Sequence, residues 1–263
     1  MLNRYGATAP FLAGAVIGAL GGLIGLGGAE FRLPLLIGVF GFVALEAVIV
    51  NKATSLVVVA AALLFRSRMI PFDVVLAHWR ILVNLLAGSL VGAWLAADFA
   101  TRLNARTLYR VIAVLLVAMA GLLVIAHDPA APSEPLATGP ALIVLGVGAG
   151  LVIGMVAALL GVAGGELLIP TLVLLFGTDI KLAGSLSLAV SLPTMLVGFA
   201  RYSRDRSFDV LKTNRRFVVV MALGSITGAY LGARLLSIVP GSALPPILAV
   251  ILIASAVKIW RHR

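Results

Sequence analysis

Composition, run lengths and an internal duplication together predict an all-α polytopic membrane protein of about eight transmembrane helices in two homologous four-helix repeats, each with a Gly-rich break and a short half-helix. The chain of 263 residues is 62% hydrophobic and 11% charged, with mean hydropathy +1.16, whereas charged residues make up about a quarter of a soluble domain. Apolar runs of about 20 residues, each able to cross roughly 30 Å of hydrocarbon as a helix, recur along the whole length and leave no room for a soluble domain. Shifting the sequence by 136 residues lays 14–97 over 150–233 without a gap, and roughly a third of the positions are identical. Residues 1–263 thus read as one membrane domain: repeat 1 over about 10–126, a linker at 127–140 and repeat 2 over about 141–260.

In the first half, 10–26 is the first span. Its basic start, with Arg4 ahead of an apolar run from Phe11, superficially resembles a signal peptide, but the run continues without a small-x-small cleavage site. The piece 31–40 is too short to cross, since ten helical residues rise about 15 Å. The segments 46–65, 73–97 and 107–126 follow as spans. HDPAAPSEP, from His127, is a hydrated linker marked by its prolines and acids. The second half repeats the order: 141–160, the short piece 166–176, 181–200 with Pro193 inside it, 214–236 and 245–260.

The formal charge of +10 comes from short basic clusters between the spans. Such clusters read as topology signals rather than as a nucleic-acid footprint. Arg66 and Arg68, and in the other half Arg201, Arg204, Arg206, Lys212, Arg215 and Arg216, place the link between the second and third spans of each repeat in the cytoplasm. Arg4, Lys258, Arg261 and Arg263 put both termini there as well. An even number of crossings per half then favours parallel repeats, with Arg102 and Arg106 as the discordant residues; inverted repeats are the alternative if either short piece crosses fully. The absence of cysteine excludes disulfides, thiol catalysis and Cys-ligated metals.

The mark of the duplication is GLGGAEFRLP, 25–34, which returns as GVAGGELLIP, 161–170. Gly27, Gly28, Gly164 and Gly165 let the chain break and expose amides, so two helix N-termini facing one another would attract a small anion. Close helix packing is the competing use of such glycines. Pro34 and Pro170 fit the first turns of the short helices, where a missing N–H costs little. Glu30 and Glu166, at the same position after the same break, read as a pair facing a shared cavity and able to carry a proton. Ser55 and Ser191 match across the repeats and could donate to an oxyanion, although serines also pack helices. Lys52 and Arg32 have Leu188 and Leu168 as equivalents, so any substrate role is one-sided; the Lys52 stem could also snorkel to the interface. Asp73 and Asp209 read as N-caps or first-turn acids of the third spans.

Two Gly-rich breaks, each followed by a short helix and a proline, then a basic link with Asp, then GSxxGAxLxA at Gly88 and again at Gly224, resemble the TauE/SafE sulfite exporter family of membrane permeases over about 10–258. The departures are Ala29 and Ala163 at glycine positions and the two glutamates. The resemblance implies a multi-pass secondary transporter of the cell membrane that arose by duplication and moves a sulfur oxyanion or organosulfonate. Its partners would be the small anionic substrate and membrane lipid, with a homo-oligomer compatible and no nucleic acid, cofactor or metal. His78, His127 and His262 make no metal spacing such as H-E-x-x-H, so an enzyme is not expected. Transport or channel conduction of another small solute, and a membrane scaffold, are the alternatives.

Overall fold

The computed structural model describes residues 6–24, 28–67, 70–125, 138–235 and 244–260, and all regular structure among them is helical. In chain order the helices are α1 Thr8–Ile24, α2 Ala29–Gly38, α3 Ala44–Arg66, α4 Phe72–Ala77, α5 Trp79–Arg102, α6 Ala105–Ile125, α7 Gly139–Leu160, α8 Gly165–Phe176, α9 Ile180–Tyr202, α10 Asp209–Thr213, α11 Arg215–Leu235 and α12 Leu244–Trp260, with a 3₁₀ turn at Arg206–Phe208. The starts of α2, α3 and α5 recur 136 residues later as the starts of α8, α9 and α11. The third span of each half is split, a difference from the sequence reading. His78 and Asn214 each turn a side-chain nitrogen onto the carbonyl four residues earlier, at 2.9 and 3.1 Å; at His78 this takes the place of the helical backbone bond, and at Asn214 it is added to it. Asp73 and Asp209 therefore sit in the first turns of short α4 and α10 and make no cap bond.

Four of the described helices, α3, α5, α7 and α9, are long and apolar enough to cross a membrane. Their burial pattern is that of a lipid-facing bundle. On α3, Asn51, Lys52, Thr54 and Ser55 are buried, whereas Val57 and Leu64 are exposed. Val83 and Leu95 on α5, Val144 and Val152 on α7 and Leu196 on α9 likewise face outwards. Polar groups inside and large apolar groups outside suit hydrocarbon, not water.

Two glycine seams hold the bundle together. Gly14 and Gly18 of α1 lie against Met221 and Ser225 of α11, while Gly224 and Gly228 of α11 lie against Phe11 and Ala15 of α1. The equivalent residues repeat the seam: Gly150 and Gly154 of α7 meet Leu85 and Ser89 of α5, and Gly88 and Gly92 of α5 meet Val147 and Leu151 of α7. At each of these positions a methyl group would run into a backbone carbonyl oxygen of the other helix. Absent side chains thus set the helix separation, the close-packing use of small residues in membranes. Residue numbers rise together across both seams, so each pair runs parallel.

The centre is occupied by α3 and α9, which run in opposite directions. Arg66 at the end of α3 donates to the Lys181 carbonyl at 2.9 Å and to Ser185 Oγ at 3.1 Å at the start of α9. At the other end of α9, Arg201 Nε donates to Asp98 near the end of α5 at 2.9 Å, and Asp98 also pairs with Arg102 at 2.7 Å. This corrects the parallel arrangement favoured by the charge pattern, because α3 and α9 are equivalents at the 136-residue offset. The physical reason is the short helix. Gly164 at the start of α8 packs on Ile153 and Ala157, and Phe176 at its end packs on Gly146, so α8 returns along α7 and adds a pass. Arg110 then stacks over the Trp260 ring at 5.8 Å and Arg204 over the Trp94 ring at 5.2 Å, which gathers the basic residues of 102–110, 201–216 and Lys258 at one end.

The seams predict opposite fates for two glycines on one helix. Gly154→Ala forces a methyl into the Ser89 carbonyl, whereas Gly148→Ala enters open space. Thermal unfolding in detergent should show Gly154→Ala destabilised by about 1–3 kcal/mol and Gly148→Ala neutral or stabilised by up to about 1 kcal/mol.

Candidate functional site

The site grows out of a helix that stops inside the protein. Gly161, with φ 67°, ends α7, and Gly164, with φ 81°, begins α8; residues 160–166 are all buried. Gly28, with φ 67°, begins α2 in the same left-handed conformation, which side chains rarely adopt. Buried helix ends need partners for their free backbone groups. Asn51 of α3 supplies one for the free Leu160 carbonyl that ends α7, donating from Nδ2 at 2.9 Å, and the same nitrogen reaches the Ala29 carbonyl at 3.0 Å, tying the end of α7 to the start of α2. Ser191 of α9 donates to the Ala163 carbonyl at 2.7 Å and Tyr202 to the Ala158 carbonyl at 3.0 Å.

Glu30 and Glu166 are the second residues of α2 and α8, and both are buried, 1% and 6% exposed. The structure brings them together. The two carboxyl groups lie side by side. Two carboxylates so placed repel each other, which favours one proton between them. One oxygen of each, Oε2, has no hydrogen-bond partner. Gly28, Gly164 and Gly165 lie buried at these same helix starts; Gly27 lies outside the described residues.

The prolines are placed otherwise than expected. Pro34 and Pro170 are the sixth residues of α2 and α8, not members of the first turn, because each helix begins directly after its positive-φ glycine. Each ring removes the N–H that would have bonded the carbonyl four residues back. Those carbonyls belong to Glu30 and Glu166.

Around the pair the two halves differ. Arg32 is fully buried and donates through Nη1 to Ser55 Oγ at 3.0 Å and Asn51 Oδ1 at 3.3 Å, and through Nη2 to Ser225 Oγ at 3.3 Å. Ser55 therefore accepts from Arg32 while its equivalent Ser191 donates to a backbone carbonyl. Where the first half has Arg32, the second has Leu168, and Ser89, the equivalent of Ser225, bonds Thr194 at 2.7 Å instead. Lys52 is fully buried, which removes the snorkelling reading: its Nζ reaches no interface and has no hydrogen-bond partner. Asn51, Ser225, Thr194 and Tyr202 were not singled out by sequence reasoning. The signal for Asn51 was the polar run Asn51, Lys52, Thr54, Ser55 inside an apolar span, and Ser225 lies in the repeated GSxxGA segment. Two helix N-termini, a buried carboxyl pair and the buried basic side chains of Arg32 and Lys52 make a polar centre with the chemistry to hold a small anion and to exchange a proton.

Neither a curated protein nor a solved structure matches this chain. The family described as Sulfite exporter TauE/SafE matches residues 9–259, nearly the whole length. A duplicated apolar bundle with a charged centre suits that family of membrane transporters, and on the extent of the match the chain belongs to the TauE/SafE sulfite exporter family.

Proposed function

We propose that the chain is a proton-coupled secondary transporter of a small anion, a sulfur oxyanion or organosulfonate, in the plasma membrane. The substrate class is supported by the family alone. Proton coupling is supported by one observation: the equivalent residues Glu30 and Glu166, from the two halves, lie side by side in the buried centre. Losing the shared proton would place two negative charges side by side in a low-dielectric interior, which repels a neighbouring anion; gaining it halves that charge, and Arg32 offsets the rest. Anion and proton would therefore load and leave together. The amides of Gly28, Gly164 and Gly165, with Ser55, Ser191, Arg32 and Lys52, line the path, and the ordering role of Pro34 and Pro170 is to free the glutamate carbonyls.

The proposed architecture keeps the eight long helices, α1, α3, α5 and α6 in repeat 1 (about 10–126) and α7, α9, α11 and α12 in repeat 2 (about 141–260), with α2 and α8 as short return passes that make the number of passes in each repeat odd. The repeats are inverted, a reading supported by the opposite directions of α3 and α9. Alternating access then follows from rocking one repeat against the other around the fixed centre. Both termini are cytoplasmic, because the basic clusters at 102–110, 201–216 and Lys258 gather at that end while Arg66, Arg80 and Lys181 are left at the other.

The cysteine-free chain makes the topology directly testable. Ser67→Cys and Ser203→Cys, equivalent positions at the ends of α3 and α9, should react with an impermeant thiol reagent from opposite faces of the membrane. Labelling from one face only would restore parallel repeats.

For coupling, flux into liposomes with and without an imposed pH gradient is compared for Glu30→Gln, Glu166→Gln and the double variant. Gradient-driven uptake should fall by roughly tenfold, more for Glu166→Gln, since Arg32 lies on the Glu30 side only, while anion exchange without a gradient survives. Variants that answer the gradient as wild type does would remove the carboxyl pair from the coupling.

A further inference from the structure

The buried charged groups of the centre fall into two kinds. Glu30 and Glu166 lie side by side, and Arg32 is held by Asn51, Ser55 and Ser225. Lys52 is the exception. Its residue is 0% exposed, and Nζ has no hydrogen-bond partner. An ammonium enclosed without a counter-charge is costly, so buried amines that serve the fold are found paired. Lys52 holds nothing in place.

Its surroundings are shaped to leave the amine room. Nζ lies against bare α9 backbone at Gly198, where an added Cβ would come within 2.8 Å of it. The Tyr202 ring is 6.0 Å away, and Tyr202 itself is fixed on the Ala158 carbonyl at the end of α7. Gly161, at the α7–α8 break, sits directly on the α3 backbone at Val48 and Lys52. The unpaired amine and the broken helix thus occupy one place in the fold.

Resting on the transport reading above, we propose that Lys52 is the counter-charge of the transported anion and that the site takes an oxyanion of single charge. The charge count sets the valence. With one proton between them Glu30 and Glu166 carry one negative charge that Arg32 balances, and Lys52, protonated as the anion enters, supplies one further positive charge. A monovalent sulfonate makes the centre neutral; a divalent anion leaves an excess negative charge beside the carboxyl pair, which the low-dielectric interior disfavours. The second half offers Leu188 in place of Lys52, so there is one such site, and it belongs to the first repeat's α3.

The test uses the full chain, with methanesulfonate and sulfate as probes at equal ionic strength, because they share sulfur-bound oxygens and differ in charge. Binding is measured by calorimetry, and flux of each in liposomes. Wild type should bind methanesulfonate at least about tenfold more tightly than sulfate, and Lys52→Met should lose at least about tenfold in methanesulfonate affinity while unfolding at no lower temperature than unliganded wild type. Gly198→Ala, which displaces the amine without removing it, should weaken binding by less. Lys52→Met that binds and carries methanesulfonate as wild type does overturns the role of Lys52 and leaves the transport reading standing. Equal affinity for both probes overturns the single charge, and a Lys52→Met protein that unfolds well below wild type makes the amine a structural one. Wild type that carries no anion overturns this inference and the proposed function together.

Discussion

A helix that ends inside a membrane protein leaves backbone groups where no water can reach them, and much of this structure is the answer to that constraint. The Asn51 side chain is the main part of the answer, since it bonds the last carbonyl of α7 and the first of α2 from a third helix. Ser191 and Tyr202 cover neighbouring carbonyls. With those bonds made, α2 and α8 can start deep in the bundle, and residues that open them, Glu30 and Glu166, are carried to the centre rather than to a surface. The glycine seams serve the same end. By letting α1 meet α11 and α5 meet α7 at backbone contact, they join elements of one half to elements of the other and leave α3 and α9 enclosed between them.

Much of this was legible in the residues. The duplication predicted the helix order, and most helix bounds lie within about two residues of the sequence reading, because apolar runs end where charged or glycine residues begin. Glu30 and Glu166 were paired on their shared offset, and they touch. Direction was not legible. The positive-inside rule was applied to links whose sides depend on whether each short helix counts as a pass, and the sequence of α8 does not reveal that it returns along α7. Once the return is included, Arg102 and Arg106 join the basic end instead of contradicting it. Lys52 failed for a related reason: snorkelling depends on what surrounds a stem, and the enclosure by α9 at Gly198 and Tyr202 is a tertiary fact. Asn51 was passed over because its use is to bridge two distant breaks, which no local pattern announces.

The halves are equivalent in backbone and unequal in charge. The carboxyl pair is symmetric, one residue from each repeat, whereas the buried Arg32, Asn51 and Lys52 belong to the first half only, with Leu168, Ser187 and Leu188 as their counterparts. In the proposed carrier, symmetry in the backbone would give two halves able to exchange positions about the centre, and asymmetry in the side chains would give one place where an anion is balanced. Both properties suit a carrier that must present a single site to two sides in turn.

The claim on which this account turns is that Glu30 and Glu166 hold one proton between them. Difference infrared spectroscopy of the protein in lipid reads it directly, through the carbonyl stretch of a protonated carboxylic acid at neutral pH. The account predicts such a band in wild type and its loss in both Glu30→Gln and Glu166→Gln, since each variant removes one member of the pair. A wild-type spectrum without the band, or a band unchanged in both variants, would contradict it.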